Sequence, residues 1–344
     1  PALGLCLDSF HTLSLGDDLS ALTGTVPPEK LFFVQLADAP RLQMDVLSWS
    51  RHHRLFPGQG ELDVAGFARD LLAAGYAGPL SLEVFNDEFR AAPSRRIARD
   101  GLRSLVVVED AVGLTELPAL PRLGGVEFVE FALDHAAREE LGGFLGTLGF
   151  ARAGLHRSKD VELWRNGGAN LVLNAEPDSA AAERFEQLGP CVCAMAFRVD
   201  DPERLAARAA ALSYPVWQER VGECERRIPA VRAPDGTLVY LVEDSAARPI
   251  WEDDFRLEPS TPPGDLIGVD HAAQAVVPGM LDSFVLFYRA LFGLEPDALW
   301  ELPDPYGLVR SRAYRNGAVR LPLNVSESGR TGTGRFVSAL AGAG

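Results

Sequence analysis

Cysteine is scarce, four residues in 344, and Cys191 and Cys193 alternate within an apolar, strand-like run. That usage argues against a disulfide framework or a zinc knuckle and reads as buried thiols. No stretch reaches the roughly 18 uninterrupted apolar residues that a bilayer span needs. The start, PALGLCLDSFH, lacks the basic segment, apolar core and cleavage site of an export signal. The compartment expected on these grounds is the cytoplasm. Basic residues are in deficit as well, 33 Lys and Arg against 48 Asp and Glu, for a formal charge of -15. A chain so charged repels phosphate backbones and anionic lipid surfaces, so neither a nucleic-acid partner nor a membrane is expected. A small-molecule substrate is the better expectation.

What is present is the balance of a globular protein, 47% apolar and 24% charged, over a length that suits two domains. The first segment alternates LGLCLDSFH, a helical stretch after Ser14, KLFFVQLADA, the amphipathic ELDVAGFARDLLAAGY and GPLSLEVF. Strand and helix in this alternation mark parallel βα units. A further helix around Arg95 to Val108 leads into TELPALPRLGG, a Pro and Gly cluster that reads as a linker. Beyond it one strand, one helix and a meander recur three times, opening at VEFVEFALD, CVCAMAFRVD and GVDHAAQAVV, with WEDDFRLEPSTPPGD as a second linker. The expected division is 1–112, a linker at 113–123, a module at 124–248, a linker at 249–265 and a further module at 266–344. Pro1 already stands inside a strand-like pattern and AGAG closes no element, so both ends are expected to be cut.

Three strand-like runs of the first segment end in oxygen donors: Asp8 closes LGLCLD, Gln35 sits in FFVQLAD and Glu83 follows LSL. The carboxyl ends of neighbouring parallel strands aim their last side chains into one pocket, and hard oxygen donors suit Mg²⁺ or Mn²⁺. Helix capping is the competing reading for such carboxylates and stays open from local sequence. His11 follows Asp8 closely enough to share its pocket. Ser50, His52 and Arg54 alternate, and an extended chain would aim all three at one oxygen-rich anion; a solvated basic loop is the alternative. PGQGELD then carries the chain through a turn into the next helix.

Taken together, LDSFH, VQLAD, SRHHRLFPGQGELD and LEVFND resemble the xylose isomerase-like sugar phosphate isomerase/epimerase superfamily, most closely its bacterial 3-dehydroshikimate dehydratases, over about residues 1 to 110. The resemblance implies the C-terminal part of a (β/α)8 barrel. It makes Asp8, Gln35 and Glu83 three of four ligands to a divalent metal, Mg²⁺, Mn²⁺ or Co²⁺, the fourth being a Glu on an earlier strand that this sequence does not contain. It assigns proton transfer to His11 and substrate contacts to Ser50, His52 and Arg54. The implied reaction is loss of water from 3-dehydroshikimate to give protocatechuate, a step of aromatic-acid catabolism. A sugar or sugar-phosphate isomerase on the same barrel is the alternative, and Gln35, standing where related isomerases often have His, argues against it.

The three repeated units resemble the vicinal oxygen chelate fold of the 4-hydroxyphenylpyruvate dioxygenase type, so the whole chain is expected to be α/β followed by α+β, with βαβββ repeats. Laid on that family's metal ligands, the first paired module has Phe128, Ala194 and Tyr240, which implies a scaffold or an oligomerisation surface, with a homo-oligomer as one outcome. In the third unit His271 matches the family's first iron-ligand His, its partners belonging to a fourth unit. The run from Val309 to Asn324 is expected to form core strands. An iron oxygenase is a further alternative that Phe128, Ala194 and Tyr240 oppose. With neither ligand set complete, the 344 residues alone are expected to show no dehydratase and no oxygenase activity.

Overall fold

The computed structural model describes residues 3–340 apart from 23, 219, 224, 247 and 260–263. Pro1, the closing AGAG and residues 260–263 of the second linker therefore lie outside the described residues. The chain divides into two units, Pro1–Leu117 with Asp282–Ala290, and Pro118–Leu281 with Leu291–Gly344.

The first unit runs β1 (Leu5–Asp8), α1 (Ser9–Leu15), β2 (Leu31–Leu36), α2 (Val46–His52), α3 (Val64–Ala73), β3 (Leu80–Leu82), α4 (Asp87–Ala91) and α5 (Ser94–Ala111). Its strands are parallel in the order β1-β2-β3, with Asp8 opposite Gln35 and Leu36 opposite Leu82. Val34 and Leu36 bury one face of β2 completely and share a core cluster with Val64, Phe67, Ala68 and Leu71 of α3, the spacing of one helical face. One expectation is corrected here: the first helix begins at Ser9 and does not follow Ser14. Asp8 caps it, accepting from the Phe10 and His11 amides, and Gly16 at φ 72° closes it in the left-handed region.

The chain from β2 to α3 is pinned by one buried side chain that no sequence pattern announced. Asp38, 1% exposed, accepts from Ala39 and Leu62 on Oδ1 and from Gly58 and Gly60 on Oδ2, all at 2.8 to 3.0 Å. A Cβ at position 60 would stand 2.4 Å from Asp38 Oδ1, so the loop closes only on glycine there. Burial pushes the Asp38 carboxyl up to about 6 against the pull of its four donors. Asp38→Asn would turn an amide NH₂ toward two backbone N–H groups, an expected loss of about 3 kcal/mol in urea unfolding at pH 8. A loss under about 1 kcal/mol would show that the loop does not depend on this acceptor.

In the second unit two βαβββ copies follow one another. The first is β4 (Leu123–Ala132), α6 (His135–Thr147), β5 (Ala151–His156), β6 (Val161–Asn166) and β7 (Ala169–Asn174). After α7 (Ala180–Leu188) the second is β8 (Cys191–Val199), α8 (Pro202–Ala211), β9 (Val216–Trp217), β10 (Ala230–Arg232) and β11 (Leu238–Glu243). With α9 (Ile250–Asp254) leading into β12 (Phe255–Leu257), they form one nine-stranded sheet, β12-β5-β6-β7-β4-β8-β11-β10-β9. A third copy follows in sequence: β13 (Gln274–Val276), α10 (Leu281–Phe292), whose residues Asp282–Ala290 belong to the first unit, β14 (Glu295–Asp304), β15 (Gly307–Asn316), β16 (Val319–Val325), then α11 (Gly332–Leu340). Its sheet is β13-β16-β15-β14. The run from Val309 to Asn324 lies in β15 and β16; β16 buries alternate residues, whereas β15 buries only Val309 and Tyr314, so the expectation of core strands holds for β16 and only in part for β15. GVDHAAQAVV is strand only over Gln274–Val276, so His271 precedes the strand and does not ride on it.

His156 closes β5 with its side chain 10% exposed. Its Nδ1 accepts from the Ser158 and Lys159 amides at 3.3 Å, which puts the ring proton of the neutral form on Nε2. Burial pushes this imidazole down to about 4, opposed chiefly by the Glu225 carboxylate 3.6 Å away. The unfolded chain takes up a proton near pH 6.5 that the folded chain refuses until about pH 4. Stability is therefore expected to fall as pH drops through that window, by up to about 3 kcal/mol from this group. His156→Gln should flatten the urea midpoint between pH 6.5 and 4.5; an unchanged slope would assign the pH dependence to other groups.

Candidate active site at the strand ends

The three parallel strands of the first unit finish together, and the residues that finish them meet. Asp8 ends β1, Gln35 lies opposite it one residue before the end of β2, and Glu83 follows β3, its amide bonded to the Leu36 carbonyl. Gln35 Nε2 donates to Glu83 Oε1 at 2.7 Å, which joins the second and third strand ends.

Arg54 lies between these groups. Its side chain is 2% exposed, and Nη1 donates to Asp8 Oδ2 at 2.8 Å, Glu83 Oε2 at 3.1 Å and the Glu83 carbonyl at 3.0 Å. Nη2 donates to Ser50 Oγ at 2.8 Å and to His11 Nε2 at 3.0 Å, and Nε to the Ser50 carbonyl at 3.0 Å. The guanidinium lies over the Phe10 ring at 4.8 Å and the Phe85 ring at 5.4 Å. A buried charge is tolerable when paired and hydrogen-bonded in this way, and an arginine fork suits two carboxylates better than an ammonium would. Asn86 steadies the backbone from below, donating from Nδ2 to the Arg54 carbonyl at 3.0 Å.

Asp8, His11, Gln35, Ser50, Arg54 and Glu83 are thus brought together, and His52 is not. The expectation of an extended 50–54 segment is corrected: Asp45 caps α2 by accepting from the Leu47 and Ser48 amides, and the helix continues to His52. Arg54 lies two residues beyond the helix, its amide bonded to the Phe85 carbonyl, and its side chain folds back on Ser50 of the last turn, while His52 is engaged elsewhere. His52 Nδ1 lies 2.8 Å from Asp87 Oδ2, and both side chains are about half exposed or more, at 48% and 61%. Phe10, Phe85 and Asn86 were not singled out in the sequence. The one available signal was the place of Phe10 and Phe85 inside LDSFH and LEVFND.

The donor set suits a cation. The Asp8 and Glu83 carboxylates face one point, where a cation, the guanidinium, already stands, and Gln35 lies beside them with Nε2 on Glu83 Oε1 and Oε1 3.6 Å from Cys6 Sγ. Asp8, Gln35 and Glu83 would hold a divalent ion if Arg54 withdrew. Among the described residues no group of three or more His, Cys, Asp and Glu side chains is arranged as a metal site.

In the second unit His271 is exposed, with Nδ1 2.7 Å from Asp270 Oδ2, and borders a largely apolar cavity of about 790 Å³. Phe128, Ala194 and Tyr240 are all buried in one apolar cluster, the Phe128 and Tyr240 rings 5.7 Å apart. Among the described residues no helix is long and apolar enough to cross a membrane.

Two families match the sequence. Xylose isomerase-like TIM barrel covers residues 1–106, and Hydroxyphenylpyruvate dioxygenase, HPPD, N-terminal covers residues 121–256. A Pseudomonas putida protein named 3-dehydroshikimate dehydratase is 51% identical over 362 residues, taking in 100% of this chain and 57% of its own length. A protein of the same name from Pseudomonas aeruginosa is 51% identical over 99% of this chain and 57% of its own. The chain therefore spans little more than half the length of these relatives. A solved structure described as a xylose isomerase-like TIM barrel/4-hydroxyphenylpyruvate dioxygenase fusion protein superposes with a TM-score of 0.86 at 49% identity, covering 99% of this chain and 56% of that one.

Proposed function

We propose, on the matches to a xylose isomerase-like TIM barrel and to a hydroxyphenylpyruvate dioxygenase N-terminal domain, that the protein is a 3-dehydroshikimate dehydratase with its reaction centre at Asp8, His11, Gln35, Ser50, Arg54 and Glu83. The observation that carries this is the meeting of two carboxylates, an amide, an imidazole and a guanidinium at the ends of three parallel strands. The 51% identity to dehydratases over the whole chain favours this reading over a sugar isomerase or an iron oxygenase.

The reaction removes a proton from the carbon beside a ketone and a hydroxyl from the next carbon; enolisation then makes the ring aromatic. A divalent ion, Mg²⁺, Mn²⁺ or Co²⁺, held by Asp8, Gln35 and Glu83 would act as a Lewis acid on substrate oxygens. His11 takes the carbon-bound proton, because its Nε2 presents a lone pair to the site, where Arg54 Nη2 now donates. Ser50 in the last turn of α2 and Arg54 just beyond it supply O–H and N–H donors for the substrate carboxylate, the guanidinium in a two-pronged pair. The Phe10 and Phe85 rings flank the guanidinium plane, and Phe10 is fully buried, which limits water beside that pair.

The barrel part is assigned to 1–112, the paired module to 124–248 and the further module to 266–344, with linkers between. The first module serves as a scaffold, the protein works in the cytoplasm, and self-association through the module is compatible with that role. Incubating the native protein with 3-dehydroshikimate and Mg²⁺, Mn²⁺ or Co²⁺ tests the reading through the ultraviolet absorbance of protocatechuate. Metal-stimulated product is expected; none with any of the three ions overturns it.

A further inference from the structure

We propose that Arg54 is a resident counter-cation of this site, exchanging with a divalent ion for the same carboxylate oxygens, so that metal entry and release of the guanidinium are one event. The proposal rests on the metal-site reading above and deepens it. Nη1 is shared between Asp8 Oδ2 and Glu83 Oε2 at 2.8 and 3.1 Å. A hard divalent ion approaches its oxygen ligands to about 2.0–2.6 Å, and the lone pairs that Nη1 engages cannot serve both. Charge count points the same way. Two carboxylates with one guanidinium leave a single negative charge, whereas a divalent ion added beside that guanidinium would put three positive charges against two negative ones. With Arg54 withdrawn, the ion and the two carboxylates balance.

The rest of the cluster is built for such an exchange. Asp8 Oδ1 stays engaged with the Phe10 amide at 2.8 Å, so only Oδ2 changes partner. Glu83 Oε1 stays with Gln35. Arg54 releases His11 Nε2 and Ser50 Oγ as it leaves, so the lone pair that accepts a proton becomes available when the ion arrives. Metal binding thereby prepares both the imidazole and the guanidinium, the one for the proton and the other for the substrate's carboxylate.

The test needs no turnover. In Arg54→Met, Asp8 and Glu83 face one another with nothing between, so unfolding in EDTA at pH 8 should come at lower temperature than in the unaltered protein. Titration with Mn²⁺ in the absence of substrate, followed by the paramagnetic resonance signal of the free ion, should show affinity tightened by at least about tenfold. The Mn²⁺-induced rise in unfolding temperature should be larger in the variant than in the unaltered protein. A purely structural Arg54 predicts the lower unfolding temperature with no gain in Mn²⁺ affinity, and that result overturns the proposal. If Arg54→Met does not fold, Asp8→Asn/Arg54→Met must fold, since it removes the conflict of charge; failure of both variants equally overturns it. Mn²⁺ binding as described, with no dehydration by the native protein, would uphold the exchange and reject the reaction.

Discussion

Glu83→Ala is expected to abolish protocatechuate formation and metal dependence together. Glu83 supplies one of the two carboxylates in the cluster, with Oε1 bound by Gln35 and Oε2 by Arg54. Its removal leaves Asp8 and a neutral amide to displace water from a hard ion, and leaves Gln35 without the partner that orients it. The Lewis-acid contribution is worth several kcal/mol, so kcat/KM should fall by at least about a thousandfold. The fold should survive. Arg54 keeps Asp8, Ser50, His11 and the Glu83 backbone carbonyl, none of which the substitution removes. Circular dichroism of the variant should accordingly match the unaltered protein, and metal-stimulated product at an undiminished rate would remove Glu83 from the site.

Residues placed by the regularity of parallel strands were legible before any coordinates. Asp8 closes one short apolar run, Gln35 lies one residue before the end of the next and Glu83 follows the third, and parallel register forces the ends of adjacent runs to meet. The βαβββ repeats were legible for a related reason, since alternation of apolar residues, turn glycines and helical periods recur together. The misreading of Ser50, His52 and Arg54 has a local cause. Alternating polar residues look the same in a strand and in the last turn of a helix, and the decision was made by Asp45, five residues upstream, whose side chain caps α2. Asp8 likewise decided the start of α1; it was read as a strand end or a cap, and the structure shows both, with Oδ1 on the helix amides and Oδ2 on Arg54. Asp38 was illegible because its partners are backbone amides 1 to 24 positions away, which no residue pattern records.

His11→Ala is expected to separate proton transfer from metal holding. The imidazole sits in the first turn of α1, exposed, with one ring edge against Phe10 at 5.5 Å and Nε2 accepting from Arg54 Nη2. None of its atoms binds Asp8, Gln35 or Glu83 through a side-chain contact, and the Asp8 cap on the residue 11 amide needs no particular side chain there. Removing the ring therefore leaves the donor oxygens in place, and Mn²⁺ affinity should stay within about threefold of the unaltered protein, a change of under 1 kcal/mol. Turnover should fall by roughly 10² to 10⁴, the range for a lost general acid or base. A loss confined to KM would mean that His11 contributes only binding, since an interaction made in the transition state alone lowers kcat. If kcat is unchanged, His11 serves only to hold Arg54, and the proton must leave by another group.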